Sequence, residues 1–211
     1  MFYSFMRGLV RVIVAIINGN THYQGREKLP EGGYVLVGPH RTWFDPLLYA
    51  LAGSPMQFSF MAKEELFKNP ILRYILVHAN AFPVDRKHPG PSAIKTPVKF
   101  LRKGNLSLIM FPSGTRHSQE LKGGATVIAK MAGVPLVPTV YQGPLTFKRL
   151  FSRKRVTVRF GEPIYIDRKL KLDEAGQKKI ETQMLTAFDE LDQQIDPNFH
   201  YIDPAEKKHA N

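Results

Sequence analysis

A histidine and an aspartate, His40 and Asp45, stand five positions apart in the stretch GPHRTWFDP, which directly follows the apolar run YVLV. A carboxylate on one ring nitrogen of an imidazole fixes the tautomer and leaves the other nitrogen as a base. Such a base takes a proton from a hydroxyl, an effect of about 10²–10⁴ in rate. The same spacing has a purely structural alternative. Asp45 before Pro46 also reads as a helix N-cap with proline at the first helical position, which would leave His40 a plain loop histidine. A metal centre is not indicated, because the other histidines are scattered and no close pair of ligands accompanies His40. The chain has no cysteine, which excludes disulfides, thiolate zinc sites and a cysteine nucleophile.

Two more polar clusters follow apolar runs. Asp85 and Arg86 lie in FPVDRKH, and Ser113, Gly114, Thr115 and Arg116 lie in FPSGTRH. An arginine fork matches phosphate oxygens, and each charge-assisted hydrogen bond contributes about 1.5–3 kcal/mol. Lys63, after FSFMA, and Lys122, beside Gly123 and Gly124, are further candidate cations for a bound anion. The bland alternative for each long basic side chain is a solvated surface. Gly114 permits a tight turn with close approach of backbone to a ligand. No G-x-x-x-x-G-K-[ST] stretch is present, so a nucleotide P-loop is not supported. FPSGT also lacks the G-x-S-x-G context of a nucleophile elbow.

The elements that must position these residues are legible as apolar runs. YVLVG (34–38), FSFMA (58–62), ANAFPV (79–84), LSLIMF (106–111), PLVPTV (135–140) and RVTVRF (155–160) have strand character. Helical patterns lie between them: PLLYALAG, EELFKNPILRYILVH, SAIKTPVKFLRKG, weakened by Pro97, LKGGATVIAKMAG, and the long DEAGQKKIETQMLTAFDELDQQI. Strand alternating with helix predicts an α/β layered domain with a largely parallel mixed sheet flanked by helices. In such sheets ligands bind at the carboxyl ends of strands, and all three polar clusters follow predicted strands. The expected organisation is an N-terminal helix over 1–19, an α/β domain over 20–195 and a polar, loosely ordered tail over 196–211.

The N-terminal stretch carries Phe2, Phe5, Met6, Leu9, Ile13, Ile16 and Ile17 at helical spacing on one face. Arg7 and Arg11 interrupt it, each costing about 2.5–3.5 kcal/mol at a bilayer centre. The stretch is also short for a membrane span, and its charges and missing cleavage site do not suit a signal peptide. It reads either as a helix packed on the protein's own core or as an interfacial helix in a headgroup layer, with its arginines near anionic lipid. The net charge of +12 on 211 residues favours an anionic partner and agrees with the second reading. No RNA-recognition signature or helix-turn-helix pattern supports nucleic acid.

Four motifs in order resemble those of the 1-acylglycerol-3-phosphate (lysophosphatidate) acyltransferases: H-x-x-x-x-D from His40 to Asp45, FPVDR ending in Arg86, FPSGTR from Phe111 to Arg116, and GVPLVP with Val134 to Pro138. The resemblance covers about residues 20 to 165. It implies transfer of an acyl chain from a thioester to the free hydroxyl of a lysophosphatidate, giving phosphatidic acid in phospholipid biosynthesis. It further implies His40 and Asp45 as the catalytic pair, and Lys63, Arg86, Ser113, Gly114, Thr115, Arg116 and Lys122 as acceptor-binding residues. No cofactor is implied; the co-substrate is acyl-CoA or an acylated carrier protein. The implied setting is the cytoplasmic face of the cell membrane, with peripheral attachment. The basic stretch KRLFSRKR, Lys148 to Arg155, suits anionic lipid, an acidic carrier protein or simply solvent. One position departs from the family pattern, since Ser113 stands where glutamate is usual. Three other readings stay open: an acyltransferase for glycerol-3-phosphate or another lysolipid, a non-catalytic binder of anionic lipid or nucleic acid, and a serine hydrolase using Ser113.

Overall fold

The computed structural model describes residues 2–85, 88–114 and 121–201. Among these residues seven strands form one sheet: β1 (Thr21–Gln24), β2 (Val35–Val37), β3 (Phe58–Lys63), β4 (Ala81–Val84), β5 (Ser107–Met110), β6 (Leu136–Gln142) and β7 (Val156–Phe160), in the order β1-β7-β6-β2-β5-β3-β4. Every neighbouring pair is parallel except β6 with β7. This is the largely parallel mixed sheet that the alternating pattern predicts. All six apolar runs appear as strands.

Among the described residues seven α-helices accompany the sheet: α1 (Phe2–Ile17), α2 (Asp45–Ala52), α3 (Pro70–His78), α4 (Ser92–Lys103), α5 (Gly124–Ala132), α6 (Phe147–Leu150) and α7 (Glu174–Ile195). Side chains alternate across the strands, so one sheet builds two cores. Leu36, Ile109, Val137, Val156 and Val158 face a layer containing α1 and α2. Val35, Val37, Leu108, Leu136 and Val140 face α4, α5 and α7, with Ile128, Met184 and Phe188 buried between.

Three expectations change in detail. EELFKNPILRYILVH is not one helix: Glu64–Lys68 forms a 3₁₀ turn, and a new helix starts at Pro70. The Asn69 side chain causes the break, accepting from Ile71 N at 3.0 Å and Leu72 N at 3.1 Å as an N-cap. Pro97 does not end α4, whose Val98 and Leu101 are anchored in the core beyond it. Arg7 does not reach toward lipid. It donates to the carbonyls of Pro55 (3.0 Å) and Met56 (2.7 Å), tying α1 to the turn before β3.

α1 meets the core through Tyr3, Val10, Val14 and Ile17. Phe5, Leu9, Val12, Ile13 and Ile16 remain exposed. The apolar face read from the sequence is therefore mostly turned outward, and a second, neighbouring face does the packing. Among the described residues no helix is long and apolar enough to cross a membrane.

Candidate active site

β2 is buried along its whole length and is followed directly by Gly38. A Cβ at Gly38 would lie 2.3 Å from the Thr139 carbonyl oxygen and 2.7 Å from the Tyr49 hydroxyl. Only glycine lets the chain leave the sheet this close to β6 and α2. The loop from residue 39 to Phe44 then leads into α2, and Asp45 is that helix's first residue.

Asp45 is fully buried, and its carboxylate turns back into the loop. It accepts from Arg41 N (2.7 Å), Thr42 N (2.7 Å), Thr42 Oγ1 (2.5 Å) and His40 Nδ1 (3.1 Å). The simple N-cap alternative is thereby corrected. The capping position is Phe44, no side chain caps the helix there, and the carboxylate serves the loop that carries His40. A buried carboxylate with four donors is both satisfied and fixed in place. With Nδ1–H donating to Asp45, Nε2 of His40 is the acceptor nitrogen and makes no hydrogen bond among the described residues.

The third cluster supplies a wall. The Phe111 ring stacks on His40 at 4.2 Å between centroids and 19° between planes. The chain then turns at buried Ser113 and at Gly114, whose φ of +70° is the left-handed conformation that favours glycine. A Cβ on Gly114 would meet Lys122 Nζ at 3.8 Å, and Lys122 N donates to the Pro112 carbonyl at 2.9 Å. His40, Asp45, Ser113, Gly114 and Lys122 thus gather where the neighbouring parallel strands β2 and β5 end.

The other sequence-based candidates lie farther along the same edge. Lys63 ends β3, two strands from β2 and so roughly 10 Å across the sheet. Its half-exposed ammonium sits 3.7 Å from Glu65, a surface pairing that leaves it largely uncommitted. The Glu65 carboxyl is held below the ordinary range, first by its own backbone N–H and then by Lys63 and Lys68. Asp85 follows β4, the next strand out. Arg86, Thr115 and Arg116 lie outside the described residues. Among the described residues no group of three metal-ligating side chains occurs.

The site also uses residues that spacing did not single out. Arg41, between His40 and Thr42, points into the protein, where it forks onto Asp192 of α7. Nη1 donates to Asp192 Oδ1 at 2.9 Å and to the Tyr141 carbonyl at 2.6 Å, while Nη2 donates to Asp192 Oδ2. Gln142 Nε2 donates to the same Oδ1 at 2.9 Å. The rings of Phe199 and Tyr201 cover the guanidinium at 4.9 and 5.4 Å, so the start of the tail packs on this loop. One signal was available in the sequence: Asp192 falls four residues after Phe188, on the apolar face of its helix, where a charge requires a buried partner.

Two buried tyrosines back the loop. The phenols of Tyr49 and Tyr141 are both pushed up by burial first, with the nearby Asp45 carboxylate adding to the rise. Both stay neutral and donate, Tyr49 to the Thr139 carbonyl (3.2 Å) and Tyr141 to the Pro144 carbonyl (2.6 Å).

With this geometry in view, the comparisons fall into line. Residues 20–142 match the family model described as Acyltransferase. A 1-acyl-sn-glycerol-3-phosphate acyltransferase of Streptococcus pneumoniae is 48% identical over 196 residues, covering 92% of this chain and 74% of that protein. A protein of the same name from Bacillus subtilis is 42% identical over 166 residues, covering 77% of this chain and 82% of its own length. The fold is shared with the crystal structure of the 1-acyl-sn-glycerophosphate acyltransferase PlsC from Thermotoga maritima, at a TM-score of 0.68 and 19% identity, covering 94% of this chain and 81% of that one. The matched span contains the His40–Asp45 loop, Phe111 and Gly114, and on this match the chain belongs to the acyltransferase family.

Proposed function

We propose that the chain moves a fatty acyl group from an acyl thioester to the free sn-2 hydroxyl of 1-acylglycerol-3-phosphate, forming phosphatidic acid. The observation that carries this reading is the His40–Asp45 pair at 3.1 Å, with the carboxylate buried and saturated by loop donors. The names of the relatives from Streptococcus pneumoniae and Bacillus subtilis supply the acceptor.

His40 Nε2 takes the proton of the acceptor hydroxyl as that oxygen attacks the thioester carbonyl. A tetrahedral intermediate forms and collapses, the carbon–sulfur bond breaks, and the imidazolium returns its proton to the departing thiolate. Asp45 holds the ring through Nδ1 and stabilises the transient positive charge. No acyl-enzyme is required, because the nucleophile belongs to the substrate. Lys122, Lys63, Arg86 and Arg116 are the cations proposed to hold the phosphate, which places the hydroxyl beside Nε2. Such positioning contributes as much as the base itself.

The acceptor is a membrane lipid, and α1 is proposed to rest in the headgroup layer of an anionic membrane as a peripheral anchor. Its outward apolar residues, with exposed Arg11 at their edge, support this. The test is an assay of the purified protein with lysophosphatidate and with acyl-CoA or acylated carrier protein, read by product mass. Phosphatidic acid from either donor is the expected result. Product only with glycerol-3-phosphate as acceptor would refute the assignment.

A further inference from the structure

Three exposed aromatic rings form a chain beside His40. Trp43, in the His40–Asp45 loop, is 57% exposed, and Phe147 and Phe151 are 43% and 58% exposed. Trp43 and Phe147 have ring centroids 6.0 Å apart, and Phe147 and Phe151 5.7 Å. Leu47, in the first turn of α2, is also exposed. An apolar surface of this kind is rarely left on a monomer without a partner.

The rim of this patch is cationic. Lys148, Arg149, Arg153, Lys154 and Arg155 are all exposed, and none of them forms an ion pair among the described residues. No acidic residue occurs between positions 143 and 161. The patch is continuous with the carboxyl end of α1. Asn18 Nδ2 donates to the carbonyls of Leu150 and Lys154, both at 3.0 Å, and Asn20 Nδ2 donates to that of Arg153 at 3.1 Å.

We propose that Trp43, Phe147 and Phe151 with this basic rim are a second membrane contact, which seats the His40 loop against an anionic phospholipid bilayer. Aromatic rings edged by Lys and Arg suit the boundary between acyl chains and negative headgroups. An acidic carrier protein would use the cations but would leave three exposed rings unaccounted for. The inference rests on the reading that the acceptor is a membrane lipid. It adds that the catalytic loop itself, and not α1 alone, touches the membrane.

The chain has one tryptophan, and it is Trp43. Its fluorescence therefore reports this contact alone. Full-length protein is mixed with phosphatidylcholine vesicles and with vesicles containing phosphatidylglycerol. The expected result is a blue shift with the anionic vesicles, quenching by lipids brominated on their chains, and partial reversal by salt. Phe147→Ser/Phe151→Ser should keep the fold, since both side chains are exposed. It should weaken vesicle binding about tenfold or more. It should also slow acylation of vesicle-borne lysophosphatidate while sparing a short-chain, monomeric analogue. Co-sedimentation with Trp43 still red-shifted and unquenched would overturn the inference and leave the proposed reaction standing. So would a Trp43 shift elicited by acylated carrier protein and not by vesicles, or equal loss on the monomeric analogue. Quenching in a protein that makes no phosphatidic acid would instead keep the contact and refute the reaction.

Discussion

His40 is held on two sides, by the Asp45 carboxylate at Nδ1 and by the Phe111 ring against its plane. His40→Ala removes the base and one of the four donors to Asp45, whose carboxylate keeps the three from Arg41 and Thr42, so activity should fall by about 10²–10⁴ with only a modest loss of stability. Thermal melting and initial rates on the same preparation check this. Asp45→Asn differs, because an amide has one acceptor oxygen where the carboxylate uses two, Oδ2 for the backbone N–H groups of Arg41 and Thr42 and Oδ1 for the Thr42 hydroxyl, and it carries no charge to hold the imidazolium. Each unsatisfied donor costs about 1–3 kcal/mol. The variant should therefore lose both stability and turnover, and the rate per folded molecule, measured well below its Tm, should still be low. Full activity in that folded fraction would return Asp45 to a merely structural role. Ser113→Ala addresses the hydrolase alternative. It should retain substantial activity, with any loss in acceptor binding, and acyl thioester alone should leave no acyl group on the protein by intact mass. An acylated Ser113 would replace direct transfer by a covalent mechanism.

At the scale of elements, the catalytic loop is clamped to α7 by Arg41 and Asp192. Arg41→Met or Asp192→Leu alone leaves one buried charge without its partner, a loss of about 3–5 kcal/mol. Arg41→Met/Asp192→Leu removes both charges and should be less destabilised than the sum of the two single variants, a coupling that a double-mutant cycle in denaturant measures. If the clamp also positions His40, stability should recover in the double variant while kcat stays low. The contrast with His40 and Asp45 shows what a sequence exposes. Those two residues are near neighbours in the chain, so their spacing is visible. Arg41 and Asp192 are 151 positions apart, and only the packing of α7 on the sheet brings them together. The central strands were legible because they are buried on both faces and read as unbroken apolar runs. β1, with the sequence THYQ at the sheet edge, and the four-residue α6 have no such pattern. The capping role of Asn69 was missed because the apolar residues on either side of it share a helical period.

For the whole molecule, the parallel order β2-β5-β3-β4 puts Lys63 and the strand ends that precede His40, Ser113 and Asp85 along a single edge. With the two proposed membrane contacts, α1 and the Trp43 patch, that edge would be held at one orientation to the bilayer. Each contact raises the effective concentration of lipid at the other, so neither needs to be strong alone. The role of α1 has to be tested without removing the helix. Truncation would also withdraw Tyr3, whose hydroxyl accepts from Phe58 N at 3.1 Å, and the core contacts of Val10 and Val14. Phe5→Ser/Leu9→Ser/Ile13→Ser alters only side chains already 67%, 44% and 42% exposed. Serine has nearly the helix propensity of phenylalanine and isoleucine and falls below leucine by less than about 0.7 kcal/mol, so Tm should drop only modestly. Interfacial burial of such side chains supplies up to about 1.5–3 kcal/mol each, so the triple variant should bind anionic vesicles at least about tenfold more weakly. Co-sedimentation measures this directly. Unchanged binding, with Trp43 still quenched by brominated lipid, would place the whole membrane contact on the catalytic-loop side and leave α1 a packing element.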